Sequence, residues 1–136
     1  MHVFVYGTLT GRARAAAVLG DGEFEFVGRA RLCGLHRVGG RYPALAPGGR
    51  VEGRLLRTAR IEALDRYEGV AAGLYVRVSV PGDGEQAAVY VGDPDRLDVS
   101  GPVEWPGDGP FDERVERYVR ENPVTVERLD RQGSDI

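Results

Sequence analysis

The chain has 136 residues, 42% apolar and 29% charged, with a net charge of −3. That is the makeup of one ordinary globular domain with enough length to close a hydrophobic core. No apolar run approaches a membrane span and the basic residues are scattered, so neither a membrane nor a nucleic acid is an expected partner. The start, MHVFVYGTL, carries no basic n-region or cleavage site, and a cytoplasmic location is expected.

All 18 basic residues are arginine. The absence of lysine excludes a Schiff-base nucleophile and the usual P-loop phosphate contact. Cys33 is the only cysteine, which excludes an intrachain disulfide and a thiolate zinc cluster. Ser79, Ser100 and Ser134 lie outside any G-x-S-x-G elbow. His2 and His36 lack metal-ligand spacing, and Asp93, Asp95 and Asp108 fit no calcium loop, so no metal site is expected. The chemistry left is that of carboxylates, hydroxyls and backbone groups.

Residues 2–6 (HVFVY) read as a strand, and residues 7–11 (GTLTG) as the turn after it. Residues 12–19 read as a short alanine-rich helix stopped at Gly20. Residues 23–32 form a long strand, and residues 35–38 and 42–45 two short ones around Gly39 and Gly40. After Pro47, Gly48 and Gly49 another strand covers 51–56, with a bulge at Gly53. Residues 59–68 (ARIEALDRYE) are the clearest helix, with Gly69 as its left-handed terminator. Strands follow at 74–80 and 86–91, joined by the turn 81–84. Residues 92–110 read as a long surface loop, and 111–122 as an amphipathic helix that Pro123 ends. Residues 1–129 are thus expected to form one domain, and 130–136 a disordered tail. The implied class is α+β: a mostly antiparallel sheet or small barrel flanked by two or three helices.

On a helical wheel, Ile61 and Leu64 define the apolar face of the 59–68 helix, with Tyr67 on its flank. Glu68 projects between them, Asp65 lies at the edge of the stripe, and Glu62 and Arg66 face solvent. A glutamate on a buried face needs a partner or a task. Burial and the negative end of the helix dipole both act to raise its pKa toward the range useful for proton transfer. Two roles stay open on geometry alone: a proton-transfer group, or a structural acid that meets water or pairs with Arg77.

The second feature is Tyr6, Gly7, Thr8 and Leu9. A strand that turns at glycine presents backbone N–H groups to a carboxylate or oxyanion, and glycine permits both positive φ and close approach. The spacing is not G-x-G-x-x-G, which excludes the dinucleotide fingerprint.

VFVYGTL near the start, with LDRYEGVAAGLYVRVSV after the middle helix, resembles the γ-glutamylcyclotransferase and AIG2-like proteins. The family's Y-G-S/T-L/N loop corresponds to Tyr6, Gly7, Thr8 and Leu9, and its acid–base glutamate to Glu68. The segments YPAL at 42–45 and VEGRL at 51–55 are also similar, so the resemblance runs over residues 3–91. It implies a small β-barrel with flanking helices and a cavity that holds the glutamate beside the loop. It implies as substrate a small γ-glutamyl amine that cyclises to 5-oxoproline, with no cofactor. Backbone N–H groups of Gly7, Thr8 and Leu9 would then hold a carboxylate or oxyanion, Tyr6 would line the cavity and Tyr75 would donate a hydrogen bond. Related γ-glutamyl linkages and a non-catalytic, metabolite- or protein-binding role are the alternatives. No oligomeric state follows from the sequence.

Overall fold

The computed structural model describes residues 1–38, 43–97 and 103–129. In chain order its elements are β1 (His2–Val5), α1 (Arg12–Leu19), β2 (Phe24–Val38), β3 (Ala44–Thr58), α2 (Ile61–Glu68), β4 (Tyr75–Val80), β5 (Ala87–Gly92), α3 (Phe111–Glu121) and β6 (Thr125–Arg128). The strands make one six-stranded sheet in the order β4-β5-β1-β3-β2-β6. Every pairing is antiparallel except β1 with β5, which is parallel.

The sheet is an open, curled half-barrel. Two register shifts in β2, between Phe26 and Gly28 and between Cys33 and Leu35, bend the strand, since a bulge adds twist and curvature. The edges come together at one end, where the Val126 N–H donates to the Pro81 carbonyl oxygen at 2.9 Å and the Arg128 N–H to Asp83 Oδ2 at 3.1 Å.

Alternation along the strands sends side chains to two cores. Val3, Val5, Leu56 and Ala88 pack on one face against Ala15 and Leu19 of α1 and Ala63 and Leu64 of α2. Phe4, Leu55, Val78, Val89 and Val91 point to the other face, where Trp105 and Val115 cover them. Trp105 is buried and meets Phe111 and Tyr118 edge-on, at centroid distances of 6.0 and 5.4 Å. The 92–110 segment is therefore not simply a surface loop: part of it closes the second core together with α3.

Three further expectations change. The short strands around Gly39 and Gly40 are the arms of one long hairpin: β2 continues to Val38, and β3 starts at Ala44 and runs unbroken through Pro47, Gly48 and Gly49. Residues 39–42, 98–102 and 130–136 lie outside the described residues, and with them the turn at Gly39, the strand start at Tyr42 and the expected tail. The strand β6 was not expected; four residues (TVER) with only Val126 buried give little periodic signal.

Gly53 is not a bulge. It keeps register opposite Ala30 in β2, and its missing side chain serves a different end. A Cβ there would overlap the Val5 carbonyl oxygen and touch Phe4, so β1 can leave the sheet only by passing over a residue without one. Gly53→Ala should cost about 1–3 kcal/mol, the range for overpacking a site that cannot yield. A urea or thermal melt of the native and variant proteins checks this.

Candidate functional site

Glu68 is the last residue of α2, and the end of that helix is closely defined. Thr58 is buried; its hydroxyl accepts from the Arg60 N–H at 3.0 Å and donates to the Glu23 carbonyl at 2.8 Å, so the helix begins at Ile61. At the other end Gly69 adopts φ 71° and ψ 39°, and the N–H groups of Gly69 and Val70 return to the carbonyls of Arg66 and Asp65. That left-handed cap fixes where the final turn stops and which way Glu68 points.

It points into a cavity of about 730 Å³ between the C-terminal ends of the parallel pair β1 and β5, the start of β4, and α2. Tyr6, Gly7, Thr8, Leu9 and Tyr75 all line this cavity with Glu68. The remaining wall is largely apolar, with Phe4, Pro43, Leu74 and Leu97, and includes Tyr90 and the arginines Arg14 and Arg96. Among the described residues no arginine is paired with Glu68. Burial pushes its carboxyl up to about 7.

The phenols around it are already engaged. Tyr6 donates to the Tyr90 carbonyl at 2.6 Å, and Tyr75 donates to the Pro43 carbonyl at 2.7 Å. Burial, then the neighbouring Tyr75 and Glu68, keeps the Tyr6 hydroxyl protonated well above its usual range. The expectation that Tyr75 offers a free hydrogen bond is thus corrected: its hydroxyl fastens the β4 end to Pro43, and its ring forms wall. The Thr8 hydroxyl lies 2.8 Å from the Tyr67 hydroxyl at the exposed rim, joining the turn to α2.

The turn itself is a single 3₁₀ segment, Thr8–Thr10. The Thr10 N–H and hydroxyl both donate to the Gly7 carbonyl, and the Gly11 N–H donates to Thr8. The backbone donors of this turn are thus Thr10 and Gly11; the N–H groups of Gly7, Thr8 and Leu9 precede them at its open end. Gly7 has φ −127° and not the positive value expected of it. Glycine is needed for proximity instead: a Cβ would stand 3.2 Å from Pro43 Cγ, against the cavity wall.

Arg77 is also corrected as a partner of Glu68. It pairs with Asp65, Nε to Oδ1 at 3.1 Å.

Residues 3–107 match the family described as gamma-glutamyl cyclotransferase, AIG2-like. The chain belongs to this family. Among solved structures it is similar to a gamma-glutamyl cyclotransferase, 15% identical with a TM-score of 0.55 over 88% of this chain and 98% of that one. An uncharacterized protein from Pyrococcus horikoshii is 19% identical, with a TM-score of 0.54 over 90% and 99% of the two chains. A protein from Arabidopsis thaliana is 27% identical, with a TM-score of 0.53 over 88% and 83%. The first two likenesses speak for the fold alone. No curated protein matches the chain.

Within the γ-glutamylcyclotransferase-like fold, three cavity residues had no signal in the sequence. Arg14 sits on an alanine-rich helix without a marked apolar stripe, where an arginine reads as solvated. Arg96 lies in the proline- and aspartate-rich stretch after β5, and Tyr90 in a strand whose residues are all buried. Cys33 is a free thiol on β2 and does not line the cavity. Among the described residues no group of histidine, cysteine and carboxylate side chains could hold a metal ion, and no helix is long and apolar enough to cross a membrane.

The raised Glu68 pKa carries a stability signature. The folded value lies above the ordinary one near 4.5, so folding favours the neutral acid. The penalty for ionising it is absent below about 4.5, grows as pH rises, and is complete above about 7. Glu68→Gln, which has no charge to bury, should melt above the native protein at pH 8, with the difference shrinking toward pH 4.5. Differential scanning calorimetry across that range checks the sign.

Proposed function

We propose that the chain is an intramolecular cyclotransferase that converts a γ-glutamyl amine, or a related γ-glutamyl compound, to 5-oxoproline and the free amine. The observation that carries this reading is Glu68: a carboxyl without a cationic partner among the described residues, pushed to about 7 by burial, in a cavity whose other rim is the Tyr6–Leu9 turn.

The substrate's α-amino group has a pKa near ~8 and reaches the solution mostly as an ammonium. The Glu68 carboxylate takes one proton from it, and the freed lone pair attacks the γ-carbonyl carbon of the same molecule. A new C–N bond closes the five-membered ring, and the carbonyl electrons move to oxygen. Backbone N–H groups of Gly7, Thr8 and Leu9 are the donors proposed for that oxyanion, or for the substrate α-carboxylate. The tetrahedral centre then collapses: the original amide C–N bond breaks and the leaving nitrogen takes the proton from Glu68. The ring nitrogen, still carrying two hydrogens, gives one to the Glu68 carboxylate, which passes it to the released amine, and the lactam N–H remains. Because attack is intramolecular, holding the substrate folded supplies much of the advantage. The apolar and phenolic walls, Tyr6 and Tyr75 among them, supply that confinement and keep the carboxyl poorly hydrated.

Glu68→Gln should lower turnover by ~10²-fold or more, the usual worth of a general acid–base group, while the fold persists. A 5-oxoproline assay over a panel of γ-glutamyl amines, with a melting curve on the same preparation, tests both halves. A folded variant with near-native turnover would remove Glu68 from the mechanism. A native protein inactive on the whole panel would favour the binding alternative.

Gly7→Val tests the other rim. Its branched side chain must press on Pro43, whose carbonyl holds Tyr75, so the wall should shift into the substrate space. The expected result is a KM raised by about 10-fold or more, one to two kcal/mol of lost binding, with kcat changed less. Unaltered kinetics in a folded Gly7→Val protein would make the turn a bystander.

A further inference from the structure

Asp65 precedes Glu68 by three residues, on the same side of α2. Its Oδ1 accepts a 2.6 Å hydrogen bond from the Tyr90 hydroxyl and lies 3.1 Å from Arg77 Nε. Arg77 and Tyr90 are register partners across β4 and β5. One carboxylate oxygen therefore clasps two facing residues of the hairpin that walls the cavity. The Tyr90 hydroxyl feels the charges of Asp65, Arg77 and Glu68, which places the four groups in one neighbourhood.

Arg77 shares a face of β4 with Tyr75, two residues earlier, and Tyr75 lines the cavity beside Glu68. A guanidinium at that place without Asp65 would have an uncompensated carboxylate within its neighbourhood. Pairing with Glu68 would hold it ionised and occupy the lone pairs that must receive a proton.

We propose that Asp65 is a positioning residue for Glu68: it docks the last turn of α2 on the β4–β5 hairpin and keeps the Arg77 guanidinium off the Glu68 carboxyl. This deepens the reading of Glu68 as a proton-transfer group. Among the described residues the other titratable groups facing Glu68 are Tyr6 beyond β1, Tyr75 on β4 and Tyr90 on β5, all phenols. The other cations nearby are Arg14 of α1, Arg37 of β2 beside Tyr6, and Arg96, which bonds the Ala72 carbonyl at 3.2 Å. Arg66 and Tyr67 flank it on its own helix and are exposed.

The test is a titration of the Glu68 side-chain carboxyl by carbon-13 NMR, without substrate, in the native protein, Asp65→Asn, Arg77→Gln and the double variant. Asp65→Asn removes a negative charge and frees a positive one, so the midpoint should fall by roughly 0.5–1 pH unit. Arg77→Gln removes the guanidinium and leaves Asp65 held by Tyr90 alone, so the midpoint should rise. The fall caused by Asp65→Asn should be smaller in the Arg77→Gln background, since no guanidinium remains to move. Equal falls in both backgrounds, or an unmoved midpoint in either single variant, overturn the proposal; if Asp65→Asn does not fold, the Arg77→Gln midpoint decides. The ascending limb of the kcat/KM pH profile should move with the NMR midpoint. Shifted midpoints in a protein that makes no 5-oxoproline would leave Asp65 in this role and remove the cyclotransferase reading instead.

Discussion

One four-residue strand joins the two halves of the sheet. In the order β4-β5-β1-β3-β2-β6, β1 links the β4–β5 hairpin to the β2–β3 hairpin, parallel to the first and antiparallel to the second. Its side chains feed both cores: Val3 and Val5 to the α1–α2 side, Phe4 to the side closed by Trp105. The parallel pairing of β1 with β5 brings the C-terminal ends of two strands to one edge. The chain leaving β1 there becomes the Tyr6–Leu9 turn, and the chain leaving β5 supplies Arg96 and Leu97. The cavity is thus a consequence of that pairing, at the strand ends where open parallel sheets place their crevices.

The position of β1 rests in turn on small residues in its path. Gly53 lets the Val5 carbonyl cross β3, and Gly7 lets the turn pass Pro43. Both were legible as glycines with a purpose, but the purpose was not. Sequence reading assigned Gly53 a bulge, and Gly7 a positive φ together with close approach to a bound anion. The operative reason in each case is the approach of a segment more than thirty residues away, which no local pattern records.

The same division separates what was readable from what was not. The bounds of α1 follow from Gly11 and Gly20 on either side of an alanine-rich run, and the end of α2, though not its start at Ile61 rather than Ala59, from an apolar stripe closed by Gly69. These signals are local and the structure obeys them. The β2–β3 hairpin is different. Pro47, Gly48 and Gly49 read as punctuation, yet the register holds Leu35 opposite Pro47. A two-stranded ladder this long absorbs a glycine at φ 100° in a bulge and a proline where no ladder N–H is needed. The candidate site divides likewise. Glu68 and the turn are visible as a helix position and a strand end, whereas the Arg77–Asp65 pair and the Arg14 contribution depend on how α1 and α2 sit on the sheet.

Two carboxylates one turn apart on the same helix meet opposite fates. Asp65 receives a phenol and a guanidinium on a single oxygen; among the described residues Glu68 receives neither. In a chain with 18 arginines, a half-buried glutamate without a cation among the described residues is the less expected outcome. The surrounding phenols contribute to it by what they do not offer. Tyr6 and Tyr75 spend their hydrogens on the backbone carbonyls of Tyr90 and Pro43, and Tyr90 spends its own on Asp65. Each bond ties two cavity-forming segments together and withdraws a donor that would otherwise stabilise the Glu68 anion. Among the described residues the cavity combines a carboxyl balanced near neutrality with the leading N–H groups of a turn. That pairing suits moving a proton between two nitrogens of one bound molecule, and it leaves the selection of that molecule to the apolar walls and the arginines at their edge.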